Sequence, residues 1–210
     1  ALSAGVASAG ADAVELEVIP TPVVAREAWV RGVPGVMVSA SHNPFGDNGL
    51  KVFGPSGQKL SDAEQNRIEA TVVAILTTGR GVRVEGPDSV ATEIPPPTGA
   101  QVGVIRWEPQ AADDYADEVV RLGGGDGALE GLSVVLDCAH GAASVVGPRV
   151  LRRLGVTLVV IGAEPDGTNI NDGVGSTALG TLREAVLNTD GALGIARDGD
   201  ADRCLAIDEN

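Results

Sequence analysis

Leu132-Ser133-Val134-Val135-Leu136-Asp137, Val156-Thr157-Leu158-Val159-Val160-Ile161 and Ala192-Leu193-Gly194-Ile195-Ala196 are three short apolar runs, and Ser144–Leu154 and Thr177–Leu187 fill the spaces between them. Each run is short and largely apolar and reads as a strand. The intervening segments repeat their apolar residues at helical spacing. Strands alternating with helices of this length predict βαβ units and a mostly parallel sheet. The fold class is therefore α/β, and Leu205–Asp208 predicts one more strand.

Upstream, Gly123-Gly124-Gly125-Asp126-Gly127 is the most linker-like stretch. A short helix precedes it at Asp113–Leu122, with Tyr115, Val119 and Leu122 on one face. Residues 80–110 read as irregular and contain Pro95-Pro96-Pro97. A second helix has a clear start: Ser61 as N-cap with Glu64 three residues on, the capping-box pattern. Ile68, Val72, Ile75 and Leu76 follow at helical spacing, and Gly79 ends the run. Leu50–Phe53 and residues 35–40 read as strands, the latter buried. Residues 13–19 read as a strand that Pro20 and Pro22 break. The expectation is two consecutive α/β domains with mixed, mostly parallel sheets flanked by helices, residues 1–110 and 111–210, divided near residues 110–128. No internal repeat is evident.

Composition narrows the function classes. The 210 residues carry 15 basic and 29 acidic side chains, a net charge of −14. No long basic patch exists, so nucleic acid and anionic membrane surfaces are poor partners. Apolar residues make up 43% of the chain, but only two Trp, one Tyr and two Phe are aromatic, so aliphatic side chains must fill the core. No apolar stretch approaches the roughly 18 residues of a membrane span, and no signal peptide opens the sequence. Cys138 and Cys204 form neither a CxxC nor a disulfide framework, so a reducing cytoplasm is the default. The only methionine is Met37, and the sequence reads as a piece of something longer.

Two loops concentrate the chemistry. In Ser39-Ala40-Ser41-His42-Asn43-Pro44 the Asn-Pro turn exposes a serine at the exit of a strand. The bland reading is a strand-to-loop turn with incidental hydroxyls. A hydrolase triad is weaker still, because adjacent Ser and His point apart on an extended backbone. The chain's two lysines, Lys51 and Lys59, both follow within 18 residues of Ser41, and one of its two histidines is His42. Rare cations gathered at one loop of an acidic protein suggest an anion site.

The second loop is Arg197-Asp198-Gly199-Asp200-Ala201-Asp202-Arg203. Three carboxylates at alternate positions repel unless a cation joins them, and oxygen ligands at this density suit Mg²⁺, Mn²⁺ or Ca²⁺. Asp198, Asp200, Asp202 and Glu209 match an EF-hand calcium loop. However, Arg203 takes the place of its invariant glycine and the flanks read as strands, so that motif is rejected. The bland alternative is a solvated acidic turn. Together the loops suggest phosphoryl transfer, with the serine carrying the group covalently. Two further turns are less specific: Asp137–Ala143, read as a tight strand-to-helix turn, and the long polar loop Pro165–Ser176, whose length favours a functional role.

Val38-Ser39-Ala40-Ser41-His42-Asn43-Pro44 with Asp47-Asn48-Gly49-Leu50-Lys51 resembles the phosphoserine loop of the α-D-phosphohexomutase superfamily, and Asp198–Arg203 resembles its metal loop. Within the superfamily, Asp137–Ala143 and Glu164–Thr177 most resemble the bacterial phosphoglucosamine mutases. The resemblance implies a four-domain enzyme, of which this chain would hold most of the first domain and nearly all of the second. Carried over by position, it implies that Ser41 is phosphorylated and that Ser41, Asp198, Asp200 and Asp202 bind Mg²⁺. His42 and Lys51 become candidates for proton transfer or charge stabilisation, and Asn43 and Arg203 for holding phosphate or substrate. The implied reaction interconverts glucosamine 6-phosphate and glucosamine 1-phosphate through a bisphosphate intermediate, in the cytoplasm, with a possible homodimer of the full-length enzyme. A phosphomannomutase/phosphoglucomutase and a non-catalytic sugar-phosphate or metal-binding module are the alternatives. His140, Val174 and Arg197 depart from residues common in the family, and none of them is a motif residue that carries the chemistry.

Overall fold

The computed structural model describes residues 1–79, 81–83, 92–93 and 95–208. Glu209, part of the rejected calcium-loop reading, lies outside the described residues, as do residues 80, 84–91 and 94 of the stretch read as irregular. The order is α1 (Leu2–Ser8), β1 (Ala13–Glu15), α2 (Thr21–Arg31), β2 (Gly35–Ser39), β3 (Gly49–Phe53), α3 (Asp62–Thr78), β4 (Val82–Arg83), β5 (Thr92–Glu93), β6 (Ile105–Trp107), α4 (Ala111–Leu122), β7 (Ser133–Asp137), α5 (Ala143–Arg153), β8 (Thr157–Ile161), α6 (Gly180–Leu187), β9 (Ala192–Arg197) and β10 (Cys204–Ile207). They fall into two compact units, each built from two runs of chain: Ala1–Glu15 with Gln58–Glu108, and Leu16–Gly57 with Pro109–Asn210.

In the first unit β1 and β6 pair in parallel, Ala13 opposite Ile105 and Glu15 opposite Trp107. The Asp12 carboxylate fixes that pairing by accepting from the Val104 N–H at 2.8 Å and from Arg106 at 2.6 Å. Helix α3 starts with the capping box read from the sequence and ends at Gly79 with φ 68°. Its apolar residues have the predicted spacing, yet none is buried, and Leu76 is 79% exposed.

The second unit carries a four-stranded sheet in the order β10-β9-β7-β8. Strands β9, β7 and β8 are parallel, and β10 is antiparallel at the edge. Val135 on β7 packs with Leu182 and Val186 of α6 on one face. Its neighbour Leu136 packs with Ala143 of α5 and with Ala201 on the other. Burial on both faces explains the uninterrupted apolar run, and each Val or Leu so buried is worth about 1.5–3 kcal/mol over exposure. Helix α4 lies on α5 through Ala116, Val120, Val146, Val150 and Leu154. Helix α2 and the β2–β3 hairpin share a third cluster of Ile19, Val23, Val24, Ala28, Phe53 and Ala111.

Several local expectations change. The first strand ends at Glu15, because Glu17 is left-handed at φ 62° and breaks the extended run. The prolines after it do not only interrupt: Pro20 is the N-cap and Pro22 sits in the first turn of α2, where a missing N–H costs nothing. Strand β2 is half-buried rather than buried, with Val38 54% exposed. On α4 the inward face is Ala111, Ala116 and Val120, leaving Leu122 exposed. The glycine stretch 123–127 is a pinned turn, with Gly125 donating to Val120 O and Gly127 to Arg153 O, both at 2.9 Å.

Candidate functional site

Both chemistry-bearing loops belong to the second unit. The β2–β3 hairpin pairs Ser39 with Gly49 and Met37 with Lys51, so the intervening loop carries Ser41 and the returning strand carries Lys51. Ser41 is left-handed at φ 55°, a conformation that costs a non-glycine residue energy and needs external support. Part of that support is local: the Ser41 N–H donates to Ser39 Oγ at 2.8 Å.

The acidic loop is the tight turn between β9 and β10. Asp198 and Asp200 are fully buried, while Asp202 is exposed at the loop's edge. Each of the three can offer one carboxylate oxygen, and these lie within 4.8 Å of one another. Asp198 Oδ1 accepts from the Arg203 N–H at 3.0 Å. Asp200 Oδ2 accepts from the Thr21 hydroxyl at the start of α2, and the Asp200 carbonyl accepts from the Thr21 N–H at 2.8 Å.

Lys51 and Ser41 join the two loops. Lys51 Nζ donates to Asp200 Oδ2 at 2.5 Å, to Asp202 Oδ2 at 2.7 Å and to Ser41 Oγ at 3.3 Å. Ser41 Oγ in turn donates to Asp198 Oδ2 at 3.3 Å. The serine oxygen thus touches a buried carboxylate and an ammonium at once. Arg203 stands at the rim, its Nε 3.8 Å from Asp198 Oδ2 and 3.9 Å from Asp202 Oδ1. Partial burial alone would lower the Lys51 pKa, but its bonds to Asp200 and Asp202 outweigh that and raise it. Asp198 is pushed up, first by burial and then by the neighbouring Asp200 and Asp202 charges, against the lowering pull of the Arg203 N–H.

The donor set fits a hard divalent cation. Asp200 Oδ1 is buried with no hydrogen-bond partner, an expensive state for a carboxylate oxygen unless a cation meets it. Three oxygens from one short turn, two of them in fully buried residues, are a site that could bind a metal.

Of the residues singled out from the sequence, Ser41, Lys51, Asp198, Asp200, Asp202 and Arg203 come together here. His42 is partly buried with its Nδ1 unpartnered, and Asn43 is exposed and contributes its carbonyl. Lys59 is exposed in the first unit. Two participants were not read from the sequence. Thr21 bonds Asp200 in two ways, and its signal was hidden between two prolines. Asn171 donates to the carbonyls of Ser41 and Asn43 at 2.8 and 2.9 Å, and the sequence pointed only to its loop, by length and by family resemblance. Glycine at 199 is required sterically: a Cβ there would lie 2.6 Å from Ser41 O and 2.4 Å from Ile170 Cδ1.

Among families of known proteins, the phosphoglucomutase/phosphomannomutase alpha/beta/alpha domain I matches residues 1–78, and domain II of the same family matches residues 113–210. The phosphoglucosamine mutase of Mycobacterium ulcerans is 47% identical over 211 residues, covering 100% of this chain and 43% of that protein. That of an Arthrobacter species is 49% identical over 209 residues, with 99% and 42% covered. The chain thus spans less than half the length of these curated relatives. In fold it is similar to a crystal structure of a phosphoglucomutase/phosphomannomutase family protein from Burkholderia thailandensis, with TM-score 0.73 at 24% identity over 99% of this chain and 42% of the other.

Proposed function

The chain belongs to the phosphoglucomutase/phosphomannomutase family of α-D-phosphohexomutases, and from that premise we propose that it forms the phosphoserine and metal-binding part of a phosphoglucosamine mutase. In this reading the family's first domain lies within residues 1–110 and its second within residues 111–210. The observation that carries the reading is the position of Ser41 Oγ, within 3.3 Å of both an ammonium and a buried carboxylate beside the triple-Asp turn.

Ser41 carries a phosphoryl group and gives it to glucosamine 6-phosphate or glucosamine 1-phosphate. The bond from phosphorus to Ser41 Oγ breaks and a bond to the sugar hydroxyl oxygen forms; the hydroxyl gives up its proton and Ser41 Oγ takes one up, so the serine hydroxyl is restored with no net change in protons. The resulting bisphosphate turns over in the site and Ser41 takes back the other phosphoryl, which regenerates the starting enzyme. Lys51 is placed to neutralise charge at Oγ as it develops, and its raised pKa keeps it cationic at neutral pH. Arg203 and Asn43 are the candidates for holding phosphate or substrate, and Lys51 and His42 for moving the proton. Asp198, Asp200 and Asp202, together with the Ser41 phosphoryl, would hold Mg²⁺, and the buried unpartnered oxygen of Asp200 supports that assignment. Bound there, the ion would supply Lewis-acid stabilisation of the phosphoryl oxygens. A cytoplasmic location and a homodimer of the full-length enzyme belong to the same reading.

The test is made on the full-length protein. Intact mass is expected to show one phosphoryl group on the peptide containing Ser41, and Ser41→Ala to abolish both the group and the turnover of glucosamine phosphates. Unchanged turnover in Ser41→Ala would end the phosphoserine reading. Faster turnover of mannose or glucose phosphates than of glucosamine phosphates would move the assignment to the phosphomannomutase/phosphoglucomutase branch.

A further inference from the structure

Ser41 needs its left-handed backbone held from outside, and two donors do so. Its carbonyl accepts from the Gly199 N–H at 3.0 Å and from Asn171 Nδ2 at 2.8 Å, and the same Nδ2 reaches the Asn43 carbonyl at 2.9 Å. One carboxamide nitrogen therefore spans the loop on both sides of His42. With Nδ2 between two carbonyl oxygens, the orientation of the amide is forced, since the reverse would set oxygen against oxygen. Asn171 Oδ1 is buried without a partner, so the side chain serves this place as a donor.

The origin of both donors makes the arrangement more than a loop contact. The Asn171 N–H bonds Ala139 O at 2.9 Å, and the Gly199 carbonyl accepts from the Ala142 N–H at 2.8 Å. Both anchors of the Ser41 carbonyl are thus fixed to one turn, Ala139–Ala142, at the end of β7. That turn is itself held by Asp137, whose carboxylate accepts from the Ala139 and Gly175 N–H groups at 2.8 and 2.7 Å. Asn171 is also left-handed, at φ 60°, a conformation Asn adopts more readily than most residues. Backbone and side chain at this position both favour asparagine.

We propose that Asn171 is a positioning residue for Ser41: its carboxamide clamps the serine loop in the same frame that carries the acidic turn, so that Ser41 Oγ stays within reach of Asp198 and Lys51. This rests on the phosphoryl-transfer reading for its catalytic consequence, while the clamp itself does not. Asn171→Asp keeps shape and backbone preference but turns two donated bonds into oxygen–oxygen repulsion. Asn171→Gly keeps the backbone and deletes the side chain.

Hydrogen exchange in the full-length protein tests the clamp directly. Both variants are expected to speed exchange in residues 39–48 by at least about tenfold while β7 and β9 keep their protection, because local opening is set by the bonds that hold the segment. In turnover, kcat is expected to fall about 10- to 100-fold with KM changed less than about threefold, the mark of a misplaced reacting group. Unchanged exchange at 39–48 in both variants overturns the proposal, as does exchange rising equally throughout the unit. A loss confined to KM overturns the catalytic consequence. If the wild-type protein turns over no sugar phosphate, the mutase reading fails, and the exchange result still decides the clamp.

Discussion

Lys51 is the residue on which the charge balance of the site turns. Its ammonium bridges Asp200 and Asp202, and Asp200 is fully buried. Lys51→Met leaves a buried carboxylate without its counter-ion, which is destabilising by roughly 1–3 kcal/mol once the partial exposure of the lysine is allowed for. The same change removes a cation that would compete with a divalent metal for Asp200 Oδ2. Thermal unfolding is therefore expected to show Lys51→Met below wild type in chelator, with a larger upward shift than wild type on adding Mn²⁺ or Mg²⁺. Equal metal shifts in both proteins would mean that lysine and metal use separate oxygens. At this scale the sequence was informative wherever residue type and spacing carry the chemistry, as in Asp198-Gly199-Asp200-Ala201-Asp202. It was silent on Thr21 and singled out the loop of Asn171 without its role, because both act through contacts with residues 179 and 130 positions away.

Elements were legible where one periodicity ran long enough without competition. Strands β7, β8 and β9 and helices α5 and α6 lie within about three residues of where their apolar patterns put them. Only β7 is buried on both faces, since Val159 of β8 and Leu193 of β9 are 39% and 46% exposed. Strand β1 falls within the run read as a strand at residues 13–19, whereas β6, with three residues inside a stretch read as irregular, is too short for a period to register and is defined by its pairing with β1. Helix α2 was hidden because Pro20 and Pro22 signal a break and a helix start alike. Helix α3 is the converse case, since its start signal was local and complete. Ser61 Oγ accepts from the Glu64 N–H, and the Glu64 carboxylate accepts from the Ser61 N–H at 2.8 Å. With no buried residue in α3, that cap is a large share of what holds its first turn. Ser61→Ala is expected to cost about 1 kcal/mol in chemical denaturation, and Ser61→Asp to keep most of it. Equal stabilities for Ser61→Ala and wild type would show that the cap contributes nothing.

The net charge of −14 sets a constraint on the whole molecule that neither loop shows alone. Within the site, Lys51 and Arg203 are both engaged by the three carboxylates, so little of their charge is left over for a phosphate. In the proposed reading a phosphoserine would add about two negative charges, and the phosphate of a sugar-phosphate substrate a similar amount. One divalent ion cannot offset all of this, and the surrounding acidic surface repels an anionic sugar phosphate at long range. That reading therefore requires further positive groups to face the substrate. The chain spans less than half the length of the curated relatives it matches, and in that reading such groups belong to the rest of a full-length protein. The expectation is that the 210-residue chain, purified with Mg²⁺ and a bisphosphorylated primer, does not measurably interconvert glucosamine 6-phosphate and glucosamine 1-phosphate, while the full-length protein does. The assay follows product formation by both species at matched concentration, with Ser41→Ala as background. Turnover by the 210-residue chain above that background would mean that Lys51, Arg203 and the metal suffice to hold the substrate, and that the charge argument fails.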